Sequence, residues 1–302
     1  MSTPTHAASE WTRRPERGNL AIVRFMASLS LAFGRGPSRL LLRFIALYFF
    51  ATGGPARRNV RAFLARALGH EPTLREQFRV FFSFAATIHD RLYFLRERFD
   101  LFRIEVHGAE TFGPGGTLML GGHLGSFEVL RACGRQLGRR RVVMAMHGEN
   151  AQRLSGVLGE VSPHARSDIV QLGRANSMLE LAARLDEGAV VGFLADRTPG
   201  DEPMLAVPFL GSEAAFATGP MRIAAALRRP VIFMAGLYRG GNRYEIRFEK
   251  IADFTRSDAM TRAERDAAVR EAVAAYARTL ERYAREAPDN WFNFHDFWGG
   301  AA

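Results

Sequence analysis

The sequence of 302 residues has little cysteine and lysine, and it lacks a long uninterrupted hydrophobic run. A single cysteine, Cys133, excludes an intramolecular disulfide and any zinc site built from several cysteines. Lys250 is the only lysine, so 40 of the 41 basic residues are arginine. Because the acidic residues number only 31, the formal net charge is +10. This surplus predicts an anionic partner: nucleic acid, an anionic membrane surface or an acidic substrate.

Several motifs that would assign a chemistry are also absent. The sequence has no G-x-x-x-x-G-K-[ST] phosphate loop, no G-x-S-x-G nucleophile turn and no H-E-x-x-H zinc motif. It has no zinc-finger or RNA-recognition signature that would direct the positive charge to nucleic acid. We therefore expect no metal, no other cofactor and no nucleic-acid partner.

The N-terminal region divides into a polar tail and a helical part. Residues 1–19 are polar and lack the pattern of a secretory signal. Residues 20–100 begin with two apolar segments, Leu20–Phe33 and Leu40–Ala51, which Gly34–Pro37 separates and arginines interrupt. Each is shorter than the roughly 20 residues that span a bilayer. The pattern is typical of a monotopic membrane anchor and equally of two ordinary core helices, and composition alone leaves both open.

Two amphipathic helices are expected to complete residues 20–100. The first is rich in arginine, over Arg57–Leu68, and the second, Leu74–Phe99, is rich in phenylalanine. The arginine-rich helix could lie on anionic lipid headgroups or be an ordinary solvated surface helix.

Residues 101–302 are predicted to form one α/β catalytic core. Short apolar runs alternate with helical patterns of about 10–15 residues, which predicts a mixed, mainly parallel sheet sandwiched by helices. The Gly240-Gly241-Asn242 turn predicts that the last two strands form an antiparallel hairpin. The predicted strands are Arg103–His107, Thr117–Leu120, Arg141–His147, Asp168–Leu172, Ala189–Ala195, Val231–Tyr238 and Arg243–Lys250. The predicted helices are Phe127–Leu137, Ala175–Asp186, Gly219–Leu227 and Thr261–Glu286.

The strongest local motif is Gly121-Gly-His-Leu-Gly-Ser-Phe-Glu128, where the second predicted strand ends. Open α/β sheets place their sites at the carboxyl ends of strands, and glycines let a substrate approach closely. The spacing allows the Glu128 carboxylate to fold back onto the His123 imidazole, which would fix its tautomer and leave the other nitrogen free to accept a hydroxyl proton. Alternatively, His123 caps a turn and Glu128 only complements a helix dipole.

This motif resembles the His-x4-Asp/Glu block of the lysophospholipid acyltransferase superfamily, and most closely that of its late lipid A (lauroyl and myristoyl) acyltransferase branch. Three further blocks follow in the same order: Gly188–Arg197, Val207–Pro220 and Pro288–Phe294. The first of these ends in Asp-Arg where that branch has Asp-Gln. The resemblance extends over about residues 20–298.

The resemblance implies a membrane-associated O-acyltransferase. Such an enzyme moves a fatty acyl chain from an acyl-carrier-protein or CoA thioester to a hydroxyl of a lipid or glycolipid. It also implies a peripheral or monotopic position on the cytoplasmic face of a bacterial inner membrane, where the basic charge would meet anionic lipid. A hydrolase that activates water and a non-catalytic lipid- or carrier-binding protein remain as alternatives. The residues do not define the acceptor, the acyl length or the donor.

Within this activity, His123 is expected to act as general base and Glu128 to orient it. The oxyanion of the tetrahedral intermediate requires preorganised donors. The candidates are the backbone around Gly122 and Gly125 and the side chain of Arg174.

Two further groups of residues are expected at the site. Asp196 and Arg197 follow another strand and would line the same sheet edge, or else form a structural salt bridge. Phe127, Phe209 and Phe216 are candidates for an acyl channel, although most phenylalanines of this chain are expected to be core.

Overall fold

Three consecutive helices precede the sheet in the computed structural model, which describes residues 30, 33–133, 140–147, 169–197 and 202–299. They are α1 (Arg35–Thr52), α2 (Gly54–Leu68) and α3 (Leu74–Phe94). Helix α1 starts earlier than predicted, because Gly36 and Pro37 fit into its first turn, where proline lacks only an amide that has no helical partner. Most of the predicted segment Leu20–Phe33 lies outside the described residues. No helix in the described ranges is long and apolar enough to span a bilayer.

A seven-stranded sheet forms the centre of the structure. All neighbouring strands are parallel except the last two in sequence, which form the predicted antiparallel hairpin. In sheet order the strands are β1 (Arg103–His107), β9 (Arg243–Asp253), β8 (Pro230–Tyr238), β2 (Thr117–Gly121), β5 (Val190–Leu194), β3 (Val142–His147) and β4 (Ile169–Leu172). Each predicted strand is present, with ends that differ by at most three residues. The predicted fold class is confirmed.

Helices and 3₁₀ turns cover both faces of the sheet. The helices after β4 are α4 (Ser177–Asp186), α5 (Gly219–Ala226) and α6 (Arg262–Glu286). Together with α2 they cover the face that carries Leu118 and Leu120 of β2. Met119, which points to the opposite face, packs with the C-terminal half of α3 and with the 3₁₀ helix Glu128–Cys133. Burial on both faces explains why the central strands are continuous apolar runs rather than alternating ones.

A separate two-stranded hairpin, β6 (Met204–Phe209) and β7 (Ser212–Ala217), was not predicted. Its turn residues Leu210 and Gly211 both have positive φ, 50° and 79°. Hairpin turns of this kind usually begin with asparagine, aspartate or glycine, so a leucine there carries no recognisable turn signal. Tertiary contacts hold Leu210 in place, because it is buried and its amide donates to Glu281 at 2.8 Å.

The carboxyl ends of β2 and β5 meet at one edge of the sheet. Gly121 pairs with Leu194 in the parallel register, so His123 and Asp196 each lie two residues beyond the last paired position. Strand β8 extends past both and pairs through Gly236 with Gly125. This register places the two side chains on adjacent strand ends, where an open α/β sheet forms its site.

Candidate active site

His123 and Asp196 form a hydrogen-bonded pair at the carboxyl edge of the sheet. The Nδ1 atom of His123 lies 2.8 Å from Oδ1 of Asp196, and the backbone N–H of His123 donates to Oδ2 at 2.9 Å. The Asp196 side chain is fully buried, whereas 34% of the His123 side chain is exposed. Within the described part of the chain, no hydrogen bond engages His123 Nε2. The imidazole is therefore held from the protein side while its other nitrogen remains available to a substrate.

The environment of Asp196 keeps its carboxyl group ionised. Burial by itself would raise the pKa of Asp196, but the charge of His123, its hydrogen bonds and the nearby Arg197 hold that pKa well below its usual range. The indole Nε1–H of Trp291 donates a further hydrogen bond to Oδ2 at 3.0 Å. An ionised Asp196 accepts the Nδ1 proton of His123, which leaves Nε2 as the basic nitrogen.

Glu128 does not contact His123, contrary to the prediction from the His-x4-Glu spacing. Its Oε1 atom lies 2.7 Å from Nη2 of Arg91 on α3, and Ser126 Oγ donates to Oε2 at 3.4 Å. Gly125 and Ser126 are tied through their amides to the carbonyls of Asn290 and Gly236, so the chain leads away from His123 and towards α3. The partner of His123 is therefore Asp196, which lies 73 residues further along the chain.

The turn after β2 uses its glycines for close packing. Gly125 has φ 68°, and a Cβ there would lie 2.0 Å from the Gly236 carbonyl oxygen. A Cβ at Gly122 would lie 3.3 Å from the Asp196 carboxylate. The amides of His123 and Gly125 already donate to Asp196 and to the Asn290 carbonyl, so these two N–H groups cannot also bind an oxyanion.

Arg174 is not brought to His123. It is exposed in the turn after β4, at the sheet edge and three strands away from β2, or roughly 14 Å at the usual strand spacing. Its backbone exchanges hydrogen bonds with Ser177 at the start of α4. Because of this distance, the structure gives no support for the predicted role of Arg174 as an oxyanion donor. The prediction placed it near the site because nothing in the sequence indicates that β4 lies at the sheet edge.

Arg197 and the C-terminal aromatic segment close one side of the pair. The guanidinium Nη2 of Arg197 donates to the Phe292 carbonyl, and the Phe292 amide donates to the His123 carbonyl at 2.8 Å. Burial lowers the pKa of Arg197, and the charge of Asp196 opposes this effect. Arg197 Nε and the carboxamide of Asn293 are buried and have no hydrogen-bond partner among the described residues. Polar groups of this kind are costly unless a ligand or water satisfies them.

The three phenylalanines predicted for an acyl channel have other surroundings. Phe209 and Phe216 are enclosed in the core, where their ring centroids lie 5.3 Å apart and Phe209 packs on Trp291. They support the indole that binds Asp196 and do not line an open channel. Phe127 is half-buried and lies over β5, where a Cβ on Gly192 would come within 2.5 Å of its ring.

Trp291 contacts the site through Asp196, and the sequence analysis placed it in a family block without giving it a role. We expect Trp291→Phe to lower catalytic activity about tenfold, because Asp196 Oδ2 loses a donor, and to lower the free energy of unfolding by about 1–3 kcal/mol. Trp298→Phe is the matched control, since its Nε1 bonds to none of the described residues. Initial rates and denaturant unfolding of both variants test this, and equal losses of activity would contradict it.

His295 gives the stability of the protein a dependence on pH. Burial, followed by the charge of Arg197, lowers the pKa of His295 to about 4 from its usual 6.5. In the unfolded chain His295 therefore binds a proton below about pH 6.5, whereas in the folded chain it does so only below about pH 4. We expect the free energy of unfolding to decrease by at most about 3 kcal/mol as the pH is lowered from about 6.5 to about 4. Denaturant unfolding of His295→Gln should show a shallower decline between these pH values than wild type.

Comparisons with known proteins identify the family of the chain. The family description "Bacterial lipid A biosynthesis acyltransferase" matches residues 20–299. No curated protein matches the chain. Among solved structures, the 1-acyl-sn-glycerophosphate acyltransferase PlsC from Thermotoga maritima is similar over 80% of this chain and 95% of its own, with 18% identity and a TM-score of 0.39. The family match confirms the resemblance seen in the sequence. Because it covers almost the whole chain, this protein belongs to the bacterial lipid A biosynthesis acyltransferase family and is an acyltransferase.

Proposed function

We propose that the protein transfers a fatty acyl chain from an acyl-carrier-protein or CoA thioester to a hydroxyl of a lipid or glycolipid, with His123 as general base. One observation carries this proposal. A partly exposed imidazole is bound at Nδ1 by a buried, ionised carboxylate and has no protein partner at Nε2 in the described ranges. This arrangement accepts a proton from an incoming hydroxyl and needs no nucleophilic side chain.

In the proposed mechanism, Nε2 of His123 takes the proton of the acceptor hydroxyl while its oxygen attacks the thioester carbonyl. The carbonyl π electrons move onto oxygen, and Asp196 stabilises the imidazolium that forms. When the tetrahedral intermediate collapses, the C–S bond breaks and the thiolate leaves with the proton from His123. The products are an ester and a free thiol. We assign Arg197, whose Nε lacks a partner in the described structure, as a donor to the oxyanion.

We also propose that the protein lies on the cytoplasmic face of the inner membrane, and helix α1 supports its contact with a bilayer. One side of this helix is ordinary core, since Leu42 and Phe50 are buried. The other side carries an apolar stripe, Leu40, Phe44 and Leu47, in which each side chain is more than half exposed at helical spacing. Exposed apolar patches rimmed by polar residues are typical of membrane or protein contacts. The buried side fits the core-helix alternative, and we propose that the exposed stripe contacts the membrane.

We expect Phe44→Glu to weaken binding to phosphatidylcholine vesicles about tenfold or more, because a carboxylate would have to enter the lipid interface. Leu179→Glu is the matched control, since Leu179 is a comparably exposed leucine on α4. Vesicle sedimentation measures both. Equal binding by the two variants would contradict the assignment of α1 to the membrane.

The function itself is tested with purified protein, labelled acyl carrier protein or acyl-CoA, and a bacterial membrane lipid extract. We expect label to appear in a lipid only when the extract is present, with His123→Ala as the inactive control. Release of free fatty acid that is independent of the extract would favour the hydrolase alternative. Thioester that stays intact with both donors would favour a non-catalytic protein.

A further inference from the structure

A cavity of about 910 Å³ lies between α1, α3, the β8–β9 turn and the end of α6, and its lining includes none of His123, Asp196 and Glu128. We propose that this cavity binds the phosphate-bearing headgroup of an anionic membrane lipid. The proposal rests on the membrane association proposed above, and it adds a binding site separate from the His123–Asp196 pair. The volume is in the range of small-molecule sites, about 300–1,000 Å³.

Arginines of α1 form the basic wall of the cavity. Arg39 and Arg43 are one helical turn apart and both line it. Asp90 accepts two hydrogen bonds from Arg35, at 2.7 and 2.8 Å, and is 3.4 Å from Arg39, so one carboxylate serves two guanidinium groups. Arg43 has no carboxylate partner among the described residues, and its guanidinium lies 5.9 Å from the centre of the Phe82 ring.

The acidic side chains of the lining already have partners, two of which are arginines of the same lining. Asp289 pairs with Arg79 at 3.1 Å, and Glu286 pairs with Arg239. Glu76 accepts the amide and hydroxyl hydrogen bonds of Thr73 that begin α3. Of the four arginines in the lining, Arg43 is therefore the one without a carboxylate partner among the described residues. Guanidinium groups bind phosphate with two parallel hydrogen bonds, which favours a phosphate ester over a neutral headgroup.

The position of the cavity identifies the lipid as the source of the phosphate. Leu40, at the start of the apolar stripe, also lines the cavity and is 61% exposed. Phe44 and Leu47 continue the stripe one and two turns further along α1. An amphiphile can therefore place its phosphate beside Arg43 while its chains remain with the stripe in the bilayer. A soluble phosphate compound would make no use of this adjacency.

The test compares the wild type with Arg43→Gln and Arg43→Lys. The matched control is Arg270→Gln, which removes an equal charge from an exposed position on α6 outside the cavity lining. Vesicles of phosphatidylcholine, with and without phosphatidylglycerol, are sedimented with each protein, and glycerol 3-phosphate binding is measured by calorimetry. We expect Arg43→Gln to weaken binding to the phosphatidylglycerol vesicles about tenfold. Arg43→Lys should lose less, because lysine keeps the positive charge but cannot form two parallel hydrogen bonds to a phosphate. Binding to phosphatidylcholine alone should change much less, because the choline ammonium neutralises the charge of its phosphate.

Two results would overturn the proposal. Equal losses of binding to phosphatidylglycerol vesicles for Arg43→Gln and Arg270→Gln would mean that only the net positive charge of the protein attracts it to the anionic lipid. A loss for glycerol 3-phosphate without a loss for the vesicles would assign the cavity to a soluble phosphate ester. Acyl transfer by the wild type is measured separately in detergent, so failure of the proposed function would leave these binding results unchanged.

Discussion

Replacing His123 with glutamine should lower the kcat of acyl transfer by about 10²- to 10⁴-fold, the contribution that a positioned general base usually makes. Glutamine is similar in size and polarity, but its carboxamide cannot accept the hydroxyl proton at neutral pH. Because a third of the His123 side chain, 34%, is exposed, the fold should tolerate the change. Single-turnover measurement of labelled acyl transfer, with circular dichroism of the variant, tests this expectation.

The control for this substitution is His107→Gln. His107 is an exposed histidine on β1, at the far edge of the same sheet, and lies 3.7 Å from Glu245. It should retain the activity of the wild type. Transfer by a folded His123→Gln protein at the rate of His107→Gln would show that His123 is not the base.

Replacing Asp196 with asparagine should be nearly as damaging, with an expected loss of about 10²- to 10⁴-fold. A neutral amide cannot stabilise the imidazolium, and its N–H₂ group can turn towards Nδ1 and favour the tautomer that has its proton on Nε2. His123 would then present a donor to the acceptor hydroxyl instead of a base. The readout specific to this role is the split between kcat and KM: kcat should fall while KM changes little, because Asp196 contacts the imidazole and is buried away from the substrate.

Glu128→Gln tests which carboxylate supports His123. The spacing in the sequence predicts Glu128, whereas the structure shows Asp196. Glu128 pairs with Arg91 at 2.7 Å and does not contact the imidazole, so we expect a loss of less than about tenfold. Unfolding in denaturant shows whether either variant has lost stability, which is expected for Asp196 because three hydrogen bonds converge on a buried carboxylate. If Glu128→Gln proved as inactive as a folded Asp196→Asn, the assignment based on the His-x4-Glu spacing would be restored.

The sequence alone predicted all seven strands of the main sheet and most of the helices, and it singled out His123. Buried strands are continuous apolar runs, and long helices have an apolar face and capping residues such as Thr261 with Glu264, so local chemistry identifies them. The glycine-flanked His123 at a strand end pointed to the site edge for the same local reason. The β6–β7 hairpin was not predicted, because Leu210 occupies a turn position with positive φ that only tertiary packing makes acceptable.

Only the tertiary structure decided which groups surround His123. Spacing in sequence brings Glu128 within reach of the imidazole but does not determine the direction of its side chain, which depends on Arg91 of α3. Asp196 becomes the partner because the register of β2 with β5 sets the two strand ends side by side. Trp291 reaches the same carboxylate from the end of the chain. Contacts between residues this distant depend on strand order and register, and those result from the packing of the whole sheet, not from any local pattern.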